Sequence, residues 1–278
     1  MGAVTAPVLG AVGTARTLLF VPGTTPARFD KAARSAADVV ILDLEDAVPE
    51  KEKSAARDAV AAWLRDGGRA AVRVNGTTTA HYDRDIAALA GLAGLLAVVV
   101  PKADSPDALS ALHERLGPGV EIVPLVETAA GLLRVGELAR TGGVSRLAFG
   151  HLDFAVDIDA DTGDEAMLMA RSALVVASRA AGLPGPVDGV TTVLDDPAAA
   201  RDDARRARRL GLTGKLCIHP HQVEVVNAAM NPTEEQVAWA RRVLQSGTEG
   251  AARLHGQMID APVIAKAQAI VSRVDEVR

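Results

Sequence analysis

The plainest chemistry in this chain belongs to two carboxylates. The stretch 121–157 holds two apolar runs, one ending in Glu127 and the other leading to Asp153. Each run is short, aliphatic or β-branched, and bounded by glycine or a helix-start signal, which predicts a buried parallel strand followed by a loop. Acids at two such strand ends point into a shared opening. Magnesium prefers hard oxygen ligands, takes one or two carboxylates from a protein and leaves its other positions to water and substrate. Glu127 and Asp153 suit that ion, and the alternative is that Glu127 caps a helix beginning at Ala129 while Asp153 is an ordinary loop acid.

Other polar residues sit at similar places. Arg73 lies near the end of AAVRVNG (70–76), where a lone arginine is either salt-bridged structure or faces developing negative charge. Glu45 and Asp46 stand at the end of VVILDLE (39–45) and just after it, and packing does not account for them; a salt bridge to Arg73 or Lys102 is the alternative to a place in a site. Thr128 and Ala129 offer backbone N–H groups at a helix start, a favourable place for an anionic carboxylate. Arg28 and Lys31, three apart, share a helix face, although such pairs are usually only solvated. His219 and His221 are two apart at a strand end, whereas His81, His113, His151 and His255 have no ligand spacing. Lys102 is placed for a Schiff base, a chemistry that metal carboxylates make unnecessary. There is no Gly-rich dinucleotide fingerprint, Walker loop or serine elbow.

Positioning these residues requires a repeated unit. Strand candidates at 17–21, 39–45, 70–76, 97–102, 121–128, 146–150, 186–190 and 214–220 alternate with helical patterns at 26–36, 50–64, 81–91, 105–116, 164–181 and 195–210, with a short helix following the last strand. Eight such units predict a (β/α)8 TIM barrel, with a doubly wound open sheet as the alternative. The active site of a barrel lies at the strands' C-terminal ends, where Glu45, Asp46, Arg73, Asn75, Lys102, Glu127, Asp153, Asp188 and His219 collect. Residues 1–15 read as a flexible tail, 16–230 as the barrel, and 231–278 as a C-terminal helical extension with patterns near 233–246 and 262–275.

Composition narrows the function. At 278 residues and a formal charge of −5, the chain is globular and unsuited to general nucleic-acid binding, while a local basic patch for an anionic ligand is still permitted. The lone Cys217 excludes an intrachain disulfide framework and reads as a buried strand residue. No apolar run approaches the ~20 residues of a membrane span, so a cytoplasmic protein is expected.

The blocks LLFVPG (18–23), DVVILDLEDAV (38–48), RVNG (73–76), VPKAD (100–104), LVETAAG (125–131), AFGHLDFAVD (148–157), GKLCIHPHQV (214–223) and GQMIDAP (256–262) together resemble the citrate lyase β-subunit branch of the HpcH/HpaI aldolase superfamily, the CitE-like proteins. The resemblance implies a (β/α)8 barrel, commonly a trimer or a multiple of one, that makes or breaks carbon–carbon bonds next to a thioester with magnesium. It implies that Glu127 and Asp153 bind Mg2+, which chelates a short 2-oxo acid, that Arg73 stabilises a thioester enolate, and that Glu45 and Asp46 orient it. Arg28 and Lys31 would grip coenzyme A phosphates, residues 186–189 would line the thioester channel, and the IHP signature would make His219 structural. Aldolases of the HpaI type carry Asp-x-Glu-His where this chain reads Asp43-Leu44-Glu45-Asp46, so the base must come from elsewhere. Asp260 matches an aspartate that reaches a neighbouring subunit's site, and it is also placed to cap a helix.

The expected activity is Mg2+-dependent cleavage or formation of a malyl-, citramalyl- or citryl-CoA-like thioester. A CoA-independent pyruvate aldolase is the alternative among enzymes. A non-catalytic subunit of a citrate lyase complex, working with an acyl-carrier protein, is the alternative outside them.

Overall fold

The computed structural model describes residues 10–246, 253–254 and 257–276. Eight strands, β1 (Thr17–Pro22), β2 (Val39–Asp43), β3 (Ala70–Arg73), β4 (Leu95–Val100), β5 (Glu121–Val126), β6 (Ala148–Phe149), β7 (Val187–Asp188) and β8 (Gly214–Cys217), pair in parallel in chain order. Pairing of Leu18 with Leu216 closes β8 on β1. The barrel therefore forms, and the open sheet does not.

Its helices are α1 (Ala11–Thr14), α2 (Phe29–Ala33), α3 (Lys53–Arg65), α4 (Tyr82–Leu89), α5 (Pro106–Leu116), α6 (Ala129–Leu133), α7 (Val135–Leu138), α8 (His151–Asp157), α9 (Asp164–Ala180), α10 (Pro197–Leu210) and α11 (Pro220–Met230). The helix expected at 26–36 shrinks to a 3-10 turn and α2, because the Ser35 hydroxyl donates to the Ala32 carbonyl and closes the last turn. β6 and β7 are shorter than expected. Pro186 has no N–H to give a ladder, and the Gly185 carbonyl accepts from Arg146 Nε instead.

Successive strand residues point to opposite faces. Leu18, Ile41, Ala71, Ala97, Val99, Val123, Leu125, Ala148, Val187 and Leu216 form one buried cluster inside the barrel. Val12 of α1 joins this cluster, and Arg146, completely buried, donates to the carbonyls of Val12 (2.9 Å) and Ala15 (2.5 Å). Residues 10–15, which composition assigns to a flexible tail, thus pack against the barrel; residues 1–9 lie outside the described residues.

By compactness the chain divides into residues 1–227 and 228–278. The second unit holds α12 (Glu234–Ser246), an antiparallel pair of β9 (Arg253–Leu254) with β10 (Gln257–Met258), and α13 (Ala261–Glu276). Ala240 and Val243 of α12 pack on Ala267 and Ile270 of α13. His255 lies outside the described residues. Among the described residues no helix is long and apolar enough to cross a membrane.

Candidate active site

The alternation that builds the core also aims the chemistry. Inward positions run Val39, Ile41, Asp43 on β2, Ala71, Arg73 on β3, and Val123, Leu125 and then Glu127 at the end of β5. Each series is apolar within the barrel and becomes charged as it reaches the mouth. The result is a pocket of about 240 Å3 lined by Phe20, Asp43, Arg73, Glu127, His151 and Asp153.

Arg73 is held on several sides. It stands opposite Asp43 in the β2–β3 register, and donates to both Asp43 oxygens, Nε at 2.7 Å and Nη2 at 2.6 Å. Its Nη1 lies 3.0 Å from Glu45 Oε2 and 3.4 Å from Asp46 Oδ2, and the guanidinium carbon sits 4.9 Å from the Phe20 ring centre. Burial opposes the charge, but the Asp43 hydrogen bonds and the surrounding acids outweigh it and raise the pKa further. Asp43 was not singled out by the sequence. Its signal was available in its inward parity and its place beside Arg73 once the second and third runs are paired. Asp43 also accepts the N–H groups of Glu45 (3.0 Å) and Ala47 (3.1 Å), and Lys53 Nζ donates to the Leu44 and Glu45 carbonyls, so the turn after β2 is fastened.

Glu45 is a bridge, as the salt-bridge alternative required: it meets Arg73 through one oxygen and Lys102 Nζ, at 3.1 Å, through the other. Burial raises its pKa, with Arg73 and Lys102 pulling the other way. Glu127 is buried, and its Oε1 accepts the Lys102 N–H at 2.8 Å. A Cβ on Gly150 would come within 2.7 Å of the Glu127 Cβ, so this close approach needs glycine. Burial first, then the negative charge of Glu45 and of Asp153, pushes the Glu127 carboxyl up to about 8, against the N–H bond that lowers it.

Asp153 does not lie in a loop. It occupies the first turn of α8, with Oδ2 3.5 Å from Lys102 Nζ. Five carboxylates, Asp43, Glu45, Asp46, Glu127 and Asp153, therefore share two cations, Arg73 and Lys102. This excess of hard oxygen donors, with a buried acid held partly protonated, fits a divalent cation on Glu127 and Asp153. Among the described residues no group of three His, Cys, Asp or Glu side chains is placed to hold a metal ion by itself.

Several expected contacts are otherwise engaged. The Ala129 N–H, expected to face a ligand carboxylate, donates to Asp157 Oδ2 at 2.7 Å, and the Thr128 hydroxyl caps α6 by accepting from Gly131. Asn75 is tied to buried Asp85 at 2.6 Å. Asp188 is buried and paired at 2.8 Å with Arg171, whose guanidinium lies over the Phe149 ring, and it does not line the pocket. His151 does line the pocket, and burial pushes it down to about 4, so it is neutral. Cys217 is buried as expected. Beside the mouth, Arg28, Lys31 and Arg34 border a second cavity of about 650 Å3 that reaches His219, and Arg34 adds a cation to the expected pair. Asp260 belongs to the second unit, where its carboxylate accepts the Val263 N–H at 3.2 Å as a helix cap.

Comparison with known proteins identifies the family. The family described as HpcH/HpaI aldolase/citrate lyase matches residues 16–220, and one described as a C–C bond lyase of the TIM-barrel fold matches residues 198–275. A citrate lyase subunit beta-like protein of Mycobacterium tuberculosis is 37% identical over 267 residues, covering 93% of this chain and 95% of that protein. An L-malyl-CoA/β-methylmalyl-CoA lyase of Cereibacter sphaeroides is 33% identical, covering 94% of each. The crystal structure of CitE from M. tuberculosis in complex with magnesium, acetoacetate and coenzyme A superposes with a TM-score of 0.84 at 36% identity, covering 94% of this chain and 98% of that one. By the span of the family match and the near-complete overlap with these relatives, this chain belongs to the HpcH/HpaI aldolase/citrate lyase family.

Proposed function

We propose that this chain is a Mg2+-dependent carbon–carbon lyase acting on a short hydroxydicarboxylic acyl-CoA thioester such as malyl-, citramalyl- or citryl-CoA. Family membership carries the reaction class, and the lyases and CoA-bound CitE among its relatives carry the choice of a CoA ester. The observation that carries the residue roles is the Asp43-clamped Arg73 in the same pocket as Glu127 and Asp153.

Glu127 and Asp153 hold the ion, which when bound supplies Lewis-acid polarisation of the 2-hydroxy or 2-oxo acid. Cleavage breaks the bond between the carbon beside the thioester carbonyl and the hydroxyl-bearing carbon. The hydroxyl proton passes to a base, the bond's electron pair becomes the thioester enolate, and a proton delivered to that carbon gives the acetyl thioester. Arg73 faces the enolate oxygen, whose charge is larger in the transition state than in the substrate, so the contact favours the reaction rather than binding alone. Asp43, Glu45 and Asp46 keep the guanidinium in place. Arg28 and Lys31, with Arg34, take the CoA phosphates along the second cavity. Asp260 of a neighbouring copy moves the proton. Exposed apolar side chains on α6, α8 and α9, among them Leu133, Val156, Met169 and Val176, support association of copies, with a trimer or a multiple of one as the proposed count.

The test is incubation of the purified protein with malyl-, citramalyl- and citryl-CoA, with Mg2+ or with EDTA, followed by mass spectrometry of the acyl-CoA species. Mg2+-dependent conversion of one thioester to acetyl-CoA is expected. Intact thioesters throughout, or free CoA without acetyl-CoA, would overturn the reading.

A further inference from the structure

Lys102 takes no part in the reaction just described, yet it stands at the centre of the acidic cluster. Its backbone has φ 48°, in the left-handed region that side chains disfavour. The turn is pinned on its far side, where the Ala103 N–H donates to the Leu125 carbonyl at 3.2 Å. Because of this conformation one residue meets the cluster twice. Its N–H binds Glu127 Oε1 at 2.8 Å, while its ammonium lies 3.1 Å from Glu45 Oε1 and 3.5 Å from Asp153 Oδ2. The ammonium thus occupies the side of Asp153 that faces the other acids, where a divalent ion shared by Glu127 and Asp153 has to go.

We infer that Lys102 is a resident cation of the cluster that the divalent ion displaces from Asp153. An ammonium and a divalent ion on the same carboxylate repel each other. The contact that gives way is the one to Asp153, which is the longer of the two and whose side chain is 41% exposed, whereas that of Glu45 is 10% exposed. The ammonium then turns to Glu45 alone, and the main-chain N–H continues to hold Glu127. Without the ion, Lys102 keeps the crowded acids from driving one another apart. With it, the same lysine is a competitor that sets the affinity. This inference rests on the reading of Glu127 and Asp153 as the ion's ligands.

The experiment measures Mn2+ binding to the full-length protein from the free-ion electron paramagnetic resonance signal, and Mg2+ binding by calorimetry. Wild type is compared with Lys102→Met, Lys102→Gln, Lys102→Arg and Glu127→Gln, each checked for folding by thermal melting. Lys102→Met and Lys102→Gln are expected to tighten binding about tenfold or more, Lys102→Arg to stay near wild type, and Glu127→Gln to weaken binding at least tenfold. Unchanged or weaker binding in both uncharged Lys102 variants, with Glu127→Gln still defective, would overturn the role of Lys102 alone. Unchanged binding in Glu127→Gln would overturn the ligand assignment beneath it.

Discussion

Arg73 can serve an enolate only if its guanidinium is rigid, and the rigidity comes from a planar fork meeting the two oxygens of Asp43 at 2.6 and 2.7 Å. Lysine keeps the charge and loses the fork. Arg73→Lys is therefore expected to lower kcat by about 100-fold or more while leaving Mn2+ affinity within a few-fold of wild type; steady-state kinetics paired with ion binding would check both halves. Glu127 is governed by the opposite imbalance, too much negative charge and too little water. Its carboxyl titrates near 8 in the folded protein against an ordinary value of 4.5, so between those limits the folded state keeps a proton that the unfolded chain has lost. Stability of the ion-free protein should consequently fall as pH rises from about 4.5 to about 8, by on the order of a few kcal/mol, and added Mg2+ should offset the loss. Urea denaturation at pH 5, 7 and 9, in EDTA and in Mg2+, gives the answer, and a flat profile in EDTA would refute it.

At the scale of elements, the site depends on where strands stop. β5 ends at Val126 and puts Glu127 at the mouth, while β6 ends at Phe149 and hands over to α8, whose first turn carries Asp153. The opposite end of the barrel has its own fastening in Arg146, which reaches the carbonyls of Val12, Ala15 and Gly185 and the Thr213 hydroxyl. Burial lowers its pKa to about 10, yet it is cationic at neutral pH and donates to acceptors inside the barrel. Replacing Arg146 with Met leaves the Ala15 carbonyl without its donor and takes one of two donors from the Val12 and Gly185 carbonyls, and a loss of about 2–4 kcal/mol is expected. Urea unfolding at pH 7.5 measures it, with the Mn2+ affinity of the folded variant expected to match wild type.

For the whole molecule, the proposal divides the machinery between the barrel and the second unit of a neighbouring copy. If Asp260 acts in trans, Arg73→Ala and Asp260→Asn should each be inactive, and mixed oligomers of the two should regain activity. Random mixing at equal amounts makes roughly a quarter of the sites complete. Assay after joint refolding or co-expression checks the recovery, and sedimentation velocity checks the assembly; absence of any recovery in verified mixed oligomers would place Asp260 in its own subunit or outside the chemistry.

What could be read from the chain alone was what depends on local periodicity. Alternation of apolar strands and helices specified the barrel, and the appearance of charged residues at or just beyond the strand ends marked Glu127, Asp153, Arg73 and Glu45 as candidates, because a period of two carries an inward series such as Val123, Leu125, Glu127 straight to the mouth. Partnership between distant segments was not legible. Asp43 becomes the clamp of Arg73 only through the β2–β3 register, and Asp157 takes the Ala129 N–H only because α8 folds back on α6. Arg146 becomes a fastening for the N-terminal segment only after the barrel closes. Lys102 shows the division most clearly: its position at a strand end is a property of the sequence, but its left-handed backbone and its place among Glu45, Glu127 and Asp153 belong to the fold, because those acids follow three different strands that only the barrel brings together.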